Sequence, residues 1–115
     1  QTVDHSYGQT LVDNGTISEE EAKSHPQSNI LMGCLGAEQA PPIAQHFIPK
    51  LRPDDVLMAC SDGIWHHFSN SEMGSALSML SPREATELLI QKARSRSRGI
   101  GDNRSLVIVK LESLD

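Results

Sequence analysis

Two short apolar runs that do not alternate, Val56-Leu57-Met58-Ala59-Cys60 and Leu106-Val107-Ile108-Val109, constrain the fold of this chain more than anything else in it. A strand with one wet face alternates apolar and polar residues, so an unbroken apolar strand is expected to be covered on both faces. Helices are expected to supply the cover. Ser69 with Glu72 and Ser81 with Glu84 have capping-box spacing, in which the hydroxyl accepts from the N3 amide and the glutamate reaches back. These predict a helix from 70 to about Leu80 and a second from Pro82 to about 97. Pro82 falls at N1, where the missing N–H would have no intrahelical partner. Ala85, Leu88, Leu89 and Ala93 form one apolar stripe on the second helix. Arg94, Arg96 and Arg98 lie near its end, where the helix dipole favours cations, and read with Arg83 as a solvated face.

The first part of the chain is more broken up. Residues 4–14 predict a short helix closed by Gly15, and Ser18 with Glu21 makes a further capping box. That second helix must be brief, because Pro26 disfavours helical geometry at His25. Residues 29–35 and 43–48 read as strands separated by a Gly36–Pro42 connector, and Pro53-Asp54-Asp55 signals a turn before the first apolar run. Gly99-Ile100-Gly101-Asp102-Asn103 is a glycine-rich turn before the last strand. No repeat and no linker interrupt the sequence. It reads as one α+β unit, residues 1–115.

Composition narrows the function classes. The 115 residues carry ten Lys and Arg against fifteen Asp and Glu, a net charge of −5, and only four aromatic side chains, Tyr7, Phe47, Trp65 and Phe68. A nucleic-acid binder needs a basic surface and stacking platforms, and both are missing. No apolar run approaches the roughly 20 residues of a membrane span, and Gln1 to Ser6 has none of the features of a signal peptide. Cys34 and Cys60 read as reduced thiols, which points to a cytoplasmic setting.

The informative pair is Asp62 and Asp102. Asp62 follows the first apolar strand and Asp102 shortly precedes the second, each beside a glycine. If the strands are antiparallel neighbours, the end of one lies beside the start of the other and the two carboxylates share a space. Two close carboxylates ionise together only with positive charge between them, which a hard divalent cation such as Mg²⁺ or Mn²⁺ supplies. The structural alternative is that each aspartate merely caps turn amides. His66 and His67 read as solvated loop residues, since adjacent histidines in an extended segment face opposite ways. The Gly99-Ile100-Gly101 run lacks the Lys-Ser/Thr of a nucleotide loop and precedes a strand, so it is not a phosphate cradle.

Four stretches together resemble the protein phosphatase 2C family of metal-dependent serine/threonine phosphatases: Thr2–Ser6 with Leu11–Ser18; His25-Pro26 with Asn29–Leu31 and Leu35-Gly36; Asp55–Trp65; and Gly101–Ser105. The resemblance implies an α-β-β-α sandwich of two mainly antiparallel sheets with flanking helices, of which this chain is the C-terminal portion, lacking the N-terminal strands. It implies a binuclear Mn²⁺ or Mg²⁺ centre in the complete domain, with Asp62 and Asp102 as metal ligands. The implied reaction is hydrolysis of phosphoserine or phosphothreonine in a phosphorylated protein substrate by a metal-activated water. The family's upstream phosphate-holding Arg, its acidic residue and its Asp-Gly-His motif have no counterpart here, and His66 stands where many members carry Asp. The chain alone is therefore expected to be inactive, with the missing N-terminal half as its partner. The alternatives are a non-catalytic phosphatase-like binding module, or a homodimer formed through exposed strands.

Overall fold

The computed structural model describes residues 1–28, 30–101 and 103–114, and the chain divides into two compact units, 1–47 and 48–115. In the first unit, α1 (Tyr7–Asp13) is capped by Ser6, whose hydroxyl accepts from Gln9 N–H at 3.2 Å. It ends at Asn14, and Gly15 follows at φ +73°, the left-handed conformation that glycine adopts without a Cβ clash. α2 (Glu19–Ser24) carries the predicted capping box between Ser18 and Glu21 and stops at His25, whose ψ of 133° is set by Pro26. Tyr7 N–H donates to the Ile30 carbonyl at 2.8 Å and Met32 N–H to the His5 carbonyl at 3.0 Å, framing an antiparallel bridge between Ser6 and Leu31.

The two strands predicted in this unit do not form. Within 29–35, Asn29 lies outside the described residues and Leu31 supplies only the bridge to Ser6. Segment 43–48 pairs with no strand among the described residues. Its apolar side chains are correspondingly exposed, Phe47 at 88%. A strand exists only where a neighbour takes its N–H and C=O groups, and apolar content alone does not provide one.

The second unit contains β1 (Val56–Cys60), α3 (Asp62–Trp65), α4 (Asn70–Met79), α5 (Pro82–Arg96) and β2 (Leu106–Lys110). The Pro53-Asp54-Asp55 turn forms as predicted, with Arg52 N–H donating to the Asp55 carboxylate at 2.8 Å and Asp54 N–H to the Leu111 carbonyl at 2.8 Å. Both capping boxes of α4 and α5 are present, and Pro82 opens α5. β1 and β2 pair antiparallel, with Val56 opposite Lys110, Met58 opposite Ile108 and Cys60 opposite Leu106.

Burial alternates along both strands, which corrects the expectation of two covered faces. One face sends Met58, Cys60 and Leu106 against a core of Ile64, Phe68, Ala76, Leu89 and Ala93 from the helices. The other presents Leu57, Val107 and Val109 exposed at 41%, 64% and 51%. The helices form a single layer on the sheet, so sequence that looks doubly buried is covered once. The α+β class holds, with one two-stranded sheet among the described residues. Among the described residues, no helix is long and apolar enough to cross a membrane.

Candidate functional site

The site is built where β1 ends and β2 begins. The antiparallel register places Cys60 opposite Leu106, so the residues just past Cys60 face those just before Leu106. Ser61 fastens the two. Its N–H donates to the Ser105 carbonyl at 2.9 Å, and its hydroxyl donates to the Asn103 carbonyl at 3.1 Å while accepting from Ser105 N–H at 3.0 Å. With its oxygen so engaged, Ser61 makes no side-chain cap to α3 although it holds the N-cap position.

Asp62 is the first residue of α3 and is exposed. Its carboxylate makes no hydrogen bond or ion pair with another described residue. The turn-capping alternative is therefore not what occupies Asp62. Asp102 lies outside the described residues, whereas its chain neighbour Asn103 is the one bonded by Ser61. An exposed, unpaired carboxylate at a strand tip fits the donor chemistry of a hard divalent cation. Among the described residues no group of three or more His, Cys, Asp or Glu converges to form a metal site.

Beside Asp62 the structure corrects the sequence reading of the histidines. His66 and His67 do lie outside a helix, in the turn after α3, but are half-buried there and not fully solvated, with ring centres 6.0 Å apart and Trp65 5.6 Å from His66. Burial, followed by the nearby His66, Arg104 and Arg96 charges, lowers the pKa of His67 and favours its neutral form. Arg96 is likewise more than a solvated cation. It donates to the His67 carbonyl at 2.7 Å and to both Glu72 carboxylate oxygens at 2.7 and 2.9 Å, and its guanidinium lies 4.9 Å from the centre of the Phe68 ring. Glu72, bonded also by Ser69 N–H, is held at a pKa of about 2. The fork of Arg96 thus locks the start of α4 and the end of α3 to the end of α5.

Several of these contacts were not legible as motifs. The Arg96–Glu72 pair joins residues 24 apart, and the Ser61–Ser105 bond joins residues 44 apart, so no local spacing announces either. α3 did carry a signal, a serine before Asp62-Gly63-Ile64-Trp65, which the sequence reading took as a strand tip and nothing more. Cys34 and Cys60 are free thiols, as expected, and burial raises the pKa of Cys60 and keeps it protonated.

No protein-family model matches the chain. A protein phosphatase 2C-type protein of Streptococcus pyogenes is 40% identical over 116 residues, covering 99% of this chain and 46% of that relative. The serine/threonine phosphatase stp of Listeria welshimeri is 36% identical over 110 residues, covering 95% of this chain and 42% of that relative. The crystal structure of the Mycobacterium tuberculosis serine/threonine phosphatase PstP/Ppp matches with a TM-score of 0.77 and 34% identity, covering 97% of this chain and 46% of that one. The chain spans about half the length of these relatives. Along nearly all of its own length it is similar, in both sequence and fold, to about half of each of these protein phosphatase 2C-type and serine/threonine phosphatase relatives.

Proposed function

We propose that residues 1–115 are the C-terminal portion of one metal-dependent protein serine/threonine phosphatase domain, built in full as an α-β-β-α sandwich. In this reading Asp62 and Asp102 are ligands of a Mn²⁺ or Mg²⁺ centre, and the substrate is a phosphorylated serine or threonine in a protein. The observation that carries it is the Ser61 bond to Asn103 across the antiparallel pair, which sets the neighbours of the two acids against each other while the Asp62 carboxylate has no partner among the described residues. When bound, a divalent ion supplies a water of lowered pKa and compensates charge on the phosphoryl oxygens. This chain's own part is to hold two acids at the sheet end on strands fixed by the helix layer. The remaining ligands and the phosphate clamp belong to the other half of the domain, so the chain alone is inactive. Free Cys34 and Cys60 suit a cytoplasmic protein.

The test is reconstitution. Combined with the complementary portion of a relative such as the Streptococcus pyogenes protein, the chain should hydrolyse p-nitrophenyl phosphate with Mn²⁺, and Asp62→Asn should abolish the activity. Full turnover by the Asp62→Asn assembly would remove Asp62 from the site, and robust turnover by the chain alone would refute its incompleteness.

The second reading, a non-catalytic binding or dimerisation module, draws on the exposed apolar outer face of Leu57, Val107 and Val109. Sedimentation decides it: a dimer insensitive to chelator, together with a reconstituted assembly that does not turn over, favours the module.

A further inference from the structure

The end of α1 is closed by a complete left-handed cap. Asn14 holds the C-cap position at φ −80° and ψ −4°, and Gly15 follows at φ +73°. Gly15 N–H donates to the Val12 carbonyl at 2.9 Å and Thr16 N–H to the Leu11 carbonyl at 2.9 Å, the two bonds expected when glycine stands just past a helix end. Asn14 is exposed, and its carboxamide bonds to no described residue. Beside Gly15 the space is open, with nothing within 4 Å of where a Cβ would lie. Asn14-Gly15 is also the one Asn-Gly step in the chain; Asn29, Asn70 and Asn103 precede Ile30, Ser71 and Arg104.

An asparagine carboxamide is open to attack by the backbone nitrogen of the next residue, and glycine leaves that nitrogen uncrowded and its backbone free to rotate. We propose that Asn14 is a site of self-modification, converting to aspartate and isoaspartate at a rate gated by the cap of α1. The Gly15 nitrogen bonds to Asn14 Cγ, the Cγ–Nδ2 bond breaks, and ammonia leaves with the proton from Gly15 N–H. The cyclic imide then takes up water at one of its two carbonyls. Opening at Cγ restores the main chain with an aspartate, and opening at the backbone carbonyl routes the chain through Cγ as isoaspartate. One water is consumed and one ammonia released, with no metal, cofactor or second protein. The closed cap holds the reaction back on two counts. Gly15 N–H is committed to Val12, and the helical ψ of Asn14 turns the Gly15 nitrogen away from Cγ. Ring closure waits for the cap to open, a local event of small free energy at the end of a seven-residue helix. Either product then works against re-closure. A new carboxylate stands beside Asp13 at the negative end of a helix that has no basic residue in its last turn. Isoaspartate also adds an atom to the main chain between the donors and acceptors of both cap bonds, so they no longer fit in register.

Ageing the 115-residue chain in mildly alkaline buffer, with and without urea, tests it, read by peptide mass spectrometry and enzymatic methylation of isoaspartate. Asn14 should lose ammonia ahead of Asn29, Asn70 and Asn103, gain one heavy oxygen in heavy-oxygen water, and accumulate isoaspartate. Urea should speed the conversion severalfold by opening the cap. Gly15→Ala compared in urea, where no cap exists to be strained, should slow it severalfold. In the aged chain the Thr16 amide should exchange faster with solvent, whereas Asn14→Gln should keep its starting exchange rate through the same ageing. An Asn14 that converts no faster than Asn70 in buffer would overturn the site. Conversion as fast in buffer as in urea would overturn gating by the cap, and unchanged exchange at Thr16 after conversion would overturn the effect on α1.

Discussion

Residues 1–47 and residues 48–115 use the same local devices on different foundations. Both units open helices with serine caps, both contain a capping box whose glutamate pKa is lowered, and both close turns with a glycine at positive φ. In the second unit those devices sit on a core in which Ile64 and Ala93 are 0% exposed. In the first, the large apolar side chains Leu31, Leu35, Ile43 and Phe47 are all exposed, and the buried polar residue among those described is the cap Ser6. Caps and turns decide where elements begin and stop, whereas burial of apolar area supplies most of what keeps them formed. The first unit therefore has drawn boundaries without the packing that normally follows them.

The largest effect that can break this contrast is a core truncation. Leu89→Ala removes the centre of the second unit's core and should cost about 2–5 kcal/mol in urea unfolding followed by the fluorescence of Trp65. Leu31→Ala, the matching change in the first unit, should stay within about 0.5 kcal/mol, because its side chain already faces water. A costly Leu31→Ala would show that the first unit has a core after all.

Next in size are the caps. Ser81→Ala breaks the box of α5 and should lower stability by about 1 kcal/mol in the same unfolding experiment, since α5 carries three of the core residues. Ser18→Ala breaks an identical box on α2, where no residue is buried. Its effect should be local, read as faster amide exchange beginning at Glu21, the amide that Ser18 accepts.

The smallest effect expected is that of acid. Glu21 and Glu72 occupy the same box position, yet only Glu72 also takes the fork of Arg96 and falls from 4.5 to about 2. A carboxyl with a lower pKa in the folded state stabilises fully above its ordinary value and loses that contribution as protons bind. The second unit should thus lose stability as pH falls through 4.5 toward 2, and Glu72→Gln should flatten that limb of the melting-temperature profile. An unchanged limb would mean that the Arg96 fork contributes nothing in solution.

How much was legible follows from how far each contact reaches. The boundaries of α1, α2, α4 and α5 were visible because a cap and its partner sit three residues apart and Pro26 and Pro82 act on immediate neighbours. β1 and β2 were visible as apolar runs, and their antiparallel pairing was a topological guess that the register supports. The strands expected at 29–35 and 43–48 failed because strand formation depends on a partner that local sequence does not contain. Of the candidate site, Asp62 is proposed from its place beside a glycine at a strand end, and Asp102 lies outside the described residues. Ser61 and Arg96 were missed because their partners lie across the fold.

The sequence by itself determined the likeness to protein phosphatase 2C-type proteins and the helix limits, because capping, proline geometry and motif order act over a few residues. Only the tertiary structure decided that the sheet is covered on one face, that His66 and His67 are half-buried, and that Ser61 joins the two strand ends. Those outcomes depend on which surfaces meet, and burial is a property of neighbours brought together by the whole chain.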